Sequence, residues 1–272
     1  MRLPVSGSPA TVAEPCHGGL FKDKFAWSAD GTAATYISRG SDDSASFLHV
    51  VGSGQDRVID SIANLPWTQG CPYTNCGEQF DTRLLFSPNG HYISLVQNLG
   101  GPSLRVWSSD GKVVASLDTE AASMSVWSGS GLFFRDGSGV EVWRGGTQSL
   151  LLPSLAWIRP MASPAGGQIV YATQDGSGVT HVGVLDTTTA NSAGTTTGKS
   201  REIAKSRIEP VFLNSHLIWY REERPCVPAD PPPCGGSVTT IETGTTYIYD
   251  LQDNTETESR ITAVFDVWPH PA

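Results

Sequence analysis

The side chains able to do acid–base or metal chemistry are thinly and irregularly spread. The six histidines are His17, His49, His91, His181, His216 and His270. None stands in H-E-x-x-H or another spacing that places ligands on one face. No G-x-S-x-G elbow presents a serine nucleophile. The Gly-rich pieces Gly52-Ser53-Gly54 and Gly137-Ser138-Gly139 read as hairpin tips, not as phosphate cradles. Acids such as Glu78, Asp81 and Glu141 could meet in space as a glycosidase pair. Their spacing gives that no support, and solvated acids are the default reading. No catalytic residue and no cofactor is expected.

The cysteines carry a clearer message. Cys71 and Cys76 flank one Pro-containing loop; Cys226 and Cys234 flank another, Pro228 to Pro233. Local disulfides would stiffen such loops. Free thiols and a zinc site are the rivals, and C-x4-C with C-x7-C is not a usual zinc spacing. The expectation is two local disulfides, no metal, and Cys16 left over. The long loop over 64–82 also carries Trp67, Tyr73 and Phe80, and with the 226–234 loop it brings aromatics and proline to blade ends. Aromatic residues on loops of a rigid scaffold are interface anchors, so these three are the candidate partner-binding residues. The rival reading is that they cap a channel.

These loops must be held by strands. Phe86-Ser87-Pro88-Asn89-Gly90-His91 followed by Tyr92–Val96 reads as strand, tight turn, strand, with Asn89-Gly90 as a two-residue hairpin turn. The pattern returns at Trp27-Ser28-Ala29-Asp30-Gly31, Trp127-Ser128-Gly129-Ser130-Gly131 and Ser163-Pro164-Ala165-Gly166, and in weaker form at Val211–Ser215. The chain ends on Val264–Trp268, which reads as one more first strand. Positions matching Phe86 are 27, 127, 162, 211 and 268. A multi-strand unit of roughly 40–50 residues predicts a β-propeller, with a β-sandwich as the bland alternative. His91 and His216 share one repeat position, whose equivalents are Thr32, Leu132 and Gly167, so they read as turn or packing residues.

An aromatic residue, then Ser-Pro-Asn-Gly and a β-run, resembles the repeat of TolB-type bacterial β-propellers, loosely related to WD-repeat propellers. That resemblance covers about residues 25–270. It implies an all-β propeller with five recognisable blades, near 25–83, 84–123, 124–160, 161–208 and 209–263. Residues 1–24 and 264–272 would form a shared or incomplete sixth. If 1–24 are too short to finish it, the chain is a fragment of a longer protein. Propellers of this kind serve as binding scaffolds, sensors and lids of peptidases, so the fold licenses no chemistry. Ser28-Ala29-Asp30-Gly31 departs from the sialidase Asp box, because Gly31 follows Asp30 directly.

Within blades, Val140-Glu141-Val142-Trp143 alternates and predicts a strand with one face in contact with the neighbouring blade. Gln168–Ala172 is expected to pair with His181–Leu185, and Leu104–Trp107 with Lys112–Ala115 around Asp110-Gly111.

Composition excludes some classes. Twenty-seven acids against 18 bases give −9, which argues against a nucleic-acid partner held by phosphate neutralisation. No stretch approaches the roughly 20 apolar residues of a membrane span. The N-terminus lacks the apolar core of a signal peptide. The chain is then cytosolic or has lost an upstream targeting segment, and the cysteine pairs favour an extracytoplasmic site. The functional expectation is a non-catalytic propeller that recognises a protein or glycan through blade-end loops. The alternatives are a hydrolase with acids at the channel mouth, or the regulatory propeller of a peptidase whose catalytic domain is absent.

Overall fold

The computed structural model describes residues 25–39, 45–63, 83–98, 102–119, 124–187, 199–230, 234 and 239–262. Among these, twenty strands form five sheets of four, each antiparallel and ordered as in the chain. The first sheet holds β1 (Phe25–Trp27), β2 (Ala33–Arg39), β3 (Ala45–Gly52) and β4 (Gln55–Ala63). The second holds β5 (Arg83–Phe86), β6 (Tyr92–Asn98), β7 (Pro102–Ser108) and β8 (Val113–Asp118). The third holds β9 (Ser125–Ser128), β10 (Gly131–Asp136), β11 (Gly139–Arg144) and β12 (Thr147–Pro153). The fourth holds β13 (Ile158–Ala162), β14 (Gln168–Gln174), β15 (Thr180–Asp186) and β16 (Lys199–Lys205). The fifth holds β17 (Arg207–Phe212), β18 (Leu217–Pro225), β19 (Thr240–Asp250) and β20 (Thr255–Ser259). A four-stranded meander repeated along the chain is the blade of a propeller. The segments proposed to close a sixth blade, 1–24 and 264–272, lie outside the described residues.

The repeated Ser motif is a turn device. The Ser87 amide donates to the Tyr92 carbonyl, and the Gly90 amide to the Ser87 carbonyl. The Tyr92 amide then donates to Ser87 Oγ at 2.9 Å, and Ser87 Oγ to Asn89 Oδ1 at 2.8 Å. Ser28 and Asp30 repeat the pattern, with the Ala33 amide 2.9 Å from Ser28 Oγ. Ser163 repeats it with Gln168. The expected two-residue turn is corrected here. Only Gly90 takes positive φ (71°), and five residues, Ser87 to His91, separate the strands. Pro88 presets the first turn position, and the serine hydroxyl supplies the extra acceptor that the longer loop needs. The His91 amide donates to Asn89 Oδ1 at 3.1 Å and the His216 amide to Asn214 Oδ1 at 2.9 Å. That shared repeat position therefore has a backbone role.

The chain forms two compact units, Met1–Ser123 and Met124–Ala272. In the first, Ile37, Leu48 and Val50 pack against Leu84, Phe86, Ile93, Leu95 and Trp107 of the next sheet. Trp107 is fully buried, and its Nε1 donates to Asp60 Oδ2 at 2.7 Å, tying β7 to β4. β5 lies against β1.

In the second unit the fourth sheet is covered on both faces. Ile169 and Tyr171 face Phe133, Val142 and Trp157, whereas Val170 faces Phe212, Ile218 and Tyr220. Period-two geometry sends neighbours to opposite faces, so the run Ile169–Ala172 is apolar throughout because both sides are buried. The first strands β9, β13 and β17 meet one another in turn, as inner strands of stacked blades do. The expected contact of one β11 face with the neighbouring blade is present, and the other face is covered too: Val140, Glu141, Val142 and Trp143 are all buried. Val140 and Val142 join the cluster with the fourth sheet, and Trp143 packs edge-on to Trp127 at 6.1 Å. Polar–apolar alternation records which way each side chain points, while burial depends on what is packed on each side.

Candidate functional site: an overhanging, stapled hairpin

The longest described strand, β19, and its partner β18 mark the site. β17 pairs with β18 only as far as Glu222, and β20 pairs with β19 only from Thr246 to Asp250. Glu223–Pro225 and Thr240–Glu242 therefore pair with each other beyond both neighbours. A lone two-stranded ribbon is marginal in water, and this one is held by added chemistry.

Cys226 and Cys234 form a disulfide across an eight-residue separation, as the loop composition predicted. Arg224 forks onto Asp230, Nη1 to Oδ2 at 2.7 Å and Nη2 to Oδ1 at 2.6 Å. The Val227 amide donates to the same carboxylate at 2.7 Å. Arg224 first, and the Val227 amide second, lower the Asp230 pKa to about 2. At the base, the Cys226 amide donates to the Thr239 carbonyl. The buried Glu223 accepts the Thr180 amide of β15 at 2.6 Å, and its own amide donates to the Ser206 carbonyl. A Cβ added at Gly178 would stand 2.4 Å from Thr239 Oγ1, so the β14–β15 turn abuts the same base. What this anchored frame presents outward is Val227, 49% exposed, with exposed Pro228 and Ala229 beside it. Among its described residues, the tip offers an apolar contact.

Two histidine clusters lie elsewhere on the sheets. In the β14–β15 turn, Asp175 Oδ1 accepts the Ser177 and Val179 amides at 2.9 and 3.0 Å. Its Oδ2 is 3.1 Å from His181 Nε2, and His181 Nδ1 is 3.1 Å from Glu202 Oε2. Both ring nitrogens face carboxylates, so the protonated ring is favoured. The hydrogen bond to Asp175 is the largest cause that raises the His181 pKa. A raised folded pKa contributes stability that is full below the unfolded value of roughly 6.5 and lost as pH climbs through the folded one. His181→Asn is therefore expected to lower the melting temperature more near pH 5.5 than near pH 8.5, as followed by circular dichroism. Equal losses at both pH values would contradict it.

The other cluster crosses β2, β3 and β4. Ser38 Oγ is 2.7 Å from His49 Nε2, and His49 Nδ1 is 2.9 Å from Asp56 Oδ1. Tyr36 stacks on the His49 ring at 4.4 Å and donates to Asp56 Oδ2 at 2.6 Å. The order is that of a hydrolase relay. A serine nucleophile, however, stands on a sharp turn where substrate can reach it. Ser38 stands within a strand, paired with Phe47. The network laces three strands together on one face of the first sheet.

Trp67, Tyr73, Phe80, Cys71, Cys76, Cys16, Glu78 and Asp81 lie outside the described residues. Glu141 is buried within β11. The sequence reading found the Cys226–Cys234 loop but missed Glu223, Arg224 and Asp230. Their signal was an opposite-charge pair flanking the first cysteine. His181 and His49 were also missed as cluster centres, because Glu202, Ser38 and Asp56 come from neighbouring strands.

No helix among the described residues is long and apolar enough to cross a membrane. No family model and no curated protein matches the chain. Solved structures do. The β-propeller domain of the Trilobed protease from Pyrococcus furiosus is 8% identical over 86% of this chain and 67% of its own, with a TM-score of 0.51. Prolyl oligopeptidase B from Galerina marginata is 9% identical over 87% of this chain and 33% of its own, with a TM-score of 0.52. TolB from Acinetobacter baumannii is 16% identical over 87% of this chain, with a TM-score of 0.47. This chain spans 54% of that TolB. Five antiparallel four-stranded sheets, together with the first two of these similarities, make the chain an all-β protein of the β-propeller fold.

Proposed function

We propose that this chain is a non-catalytic binding propeller of TolB-type repeats that works outside the cytoplasm and grips a protein partner through its blade-end loops. The observation that carries the reading is the overhanging hairpin. It is stapled by a disulfide, braced by the Arg224–Asp230 fork, and exposes Val227-Pro228-Ala229. Preorganising a loop removes the ordering cost from binding. A branched apolar residue beside proline suits an apolar cleft on a protein better than a sugar ring. The disulfide supports an oxidising compartment. Trp67, Tyr73 and Phe80 belong to the same proposal, as anchors on the 64–82 loop.

Site-specific photo-crosslinking tests it. A photoreactive residue at Val227 is expected to give one discrete adduct in an extracytoplasmic fraction, while one at Val58, on the first sheet and 54% exposed, gives none. Val227→Asp should weaken the isolated complex about tenfold or more, ~1.4 kcal/mol. Replacing both Cys226 and Cys234 by serine should weaken it too. Adducts that do not depend on position, or affinity unchanged in both variants, would sink the reading.

A further inference from the structure

The same loop holds a second chemistry, which stands on its side chains alone and needs no partner. One ligand atom each from Cys226, Asp230 and Cys234 lies within 4.8 Å of the others, and all three residues are half-buried. Cys234 Sγ is 4.0 Å from Asp230 Oδ2. Zinc-class cations take sulfur at roughly 2.3 Å and carboxylate oxygen at roughly 2.0–2.2 Å, in tetrahedral sites. Ligands at those distances stand about 3.7 Å apart, so a small rotation of these side chains closes the set. Two thiolates and a carboxylate carry three negative charges. A divalent cation and Arg224 balance them. Arg224 and the Val227 amide already orient the carboxylate, the part that outer-shell donors play around metal ligands.

In the structure the two sulfurs are bonded to each other. Sulfur in that state has no thiolate to give, so the staple and the metal exclude one another. We propose that the 226–234 loop is a thiol–disulfide switch. Once reduced, it takes one thiophilic divalent cation of the zinc class on Cys226, Cys234 and Asp230, with water at the fourth position. A dithiol reductant supplies two electrons and two protons; the S–S bond breaks, two S–H bonds form, and the reductant leaves as its own disulfide. Cation binding forms two metal–sulfur bonds and releases both thiol protons to solvent. The loop is closed in either state, by a covalent bond in one and by coordination in the other.

The test uses the full chain carrying Cys16→Ser, Cys71→Ser and Cys76→Ser, so that only the loop cysteines remain. It is reduced with a dithiol, freed of reductant without oxygen, and titrated with Cd2+ while the ultraviolet thiolate-to-cadmium band is followed. One cation per chain is expected in the reduced protein and none in the oxidised protein. Asp230→Asn should loosen Cd2+ by at least the roughly tenfold that losing an outer-shell partner costs. Adding Cys226→Ser and Cys234→Ser should abolish the band. Limited proteolysis gives a second reading on the same polypeptide: reduction should open the loop to cleavage and Cd2+ should restore protection. The proposal is overturned by a reduced protein without the band, by equal uptake in the oxidised protein, by an Asp230→Asn affinity equal to the parent's, or by cleavage that Cd2+ leaves unchanged.

Discussion

Gly139→Ala should destabilise the second unit by about 3 kcal/mol or more, at the upper end of what single substitutions do, whereas Gly137→Ala two residues away should stay within about 0.5 kcal/mol. Gly139 has φ of +137° and faces Pro153 across the β11–β12 pair. A Cβ there would stand 2.3 Å from the Leu152 carbonyl oxygen and 2.7 Å from the Ser154 amide nitrogen. Both are backbone atoms, so no side chain can swing aside. Relief would have to part β11 from β12 and break the bond from the Ser154 amide to the Ser138 carbonyl. At Gly137 a Cβ meets nothing within 4 Å. Urea midpoints of the two variants give the comparison, and equal midpoints would contradict the packing described.

Trp157→Ala should cost about 3–5 kcal/mol, the range for truncating a buried aromatic residue. Trp157 enters β13 from the crossover after the third sheet and is fully buried, 5.8 Å from the Tyr171 ring. It lies in the cluster that joins the third and fourth sheets. Its Nε1 donates to the Met124 carbonyl at 3.0 Å, and its own carbonyl accepts Arg135. Trp157→Phe keeps most of the apolar area but leaves the Met124 carbonyl without that donor, so about 1–3 kcal/mol is expected. Denaturant unfolding separates the two effects. A Phe variant as unstable as the Ala variant would mean that the hydrogen bond, not the ring, holds the sheets together.

Much of the architecture was legible before any coordinates. A Ser–x–Asn/Asp–Gly turn uses local atoms, since the hydroxyl, the amide side chain and the glycine all act within six residues. Such a motif shows in sequence wherever it recurs, and its recurrence marks the sheets. The Gln168–Ala172 and His181–Leu185 pairing was legible for the same reason, because adjacent strands of a meander pair through short connections. The same holds for Cys226 and Cys234, eight residues apart on one loop.

Other features needed partners that lie far along the chain. His49 gains its meaning from Ser38 and Asp56, which pleat and register bring to one face of three strands. Glu223 looks like a surface acid until Thr180 arrives from another sheet to occupy it. Gly137 and Gly139 are two residues apart and identical as letters; the positive φ of Gly139 and the backbone of Leu152 and Ser154 beside it tell them apart. The overhang of β18 and β19 follows from where β17 and β20 stop, and nothing within the hairpin itself records that. The sequence by itself determined the repeat, the all-β class and the loop staple, because each is written in contacts between near neighbours. Tertiary structure alone decided which groups share a site, because Coulombic and steric contacts depend on distance in space, and the chain's order does not carry that distance.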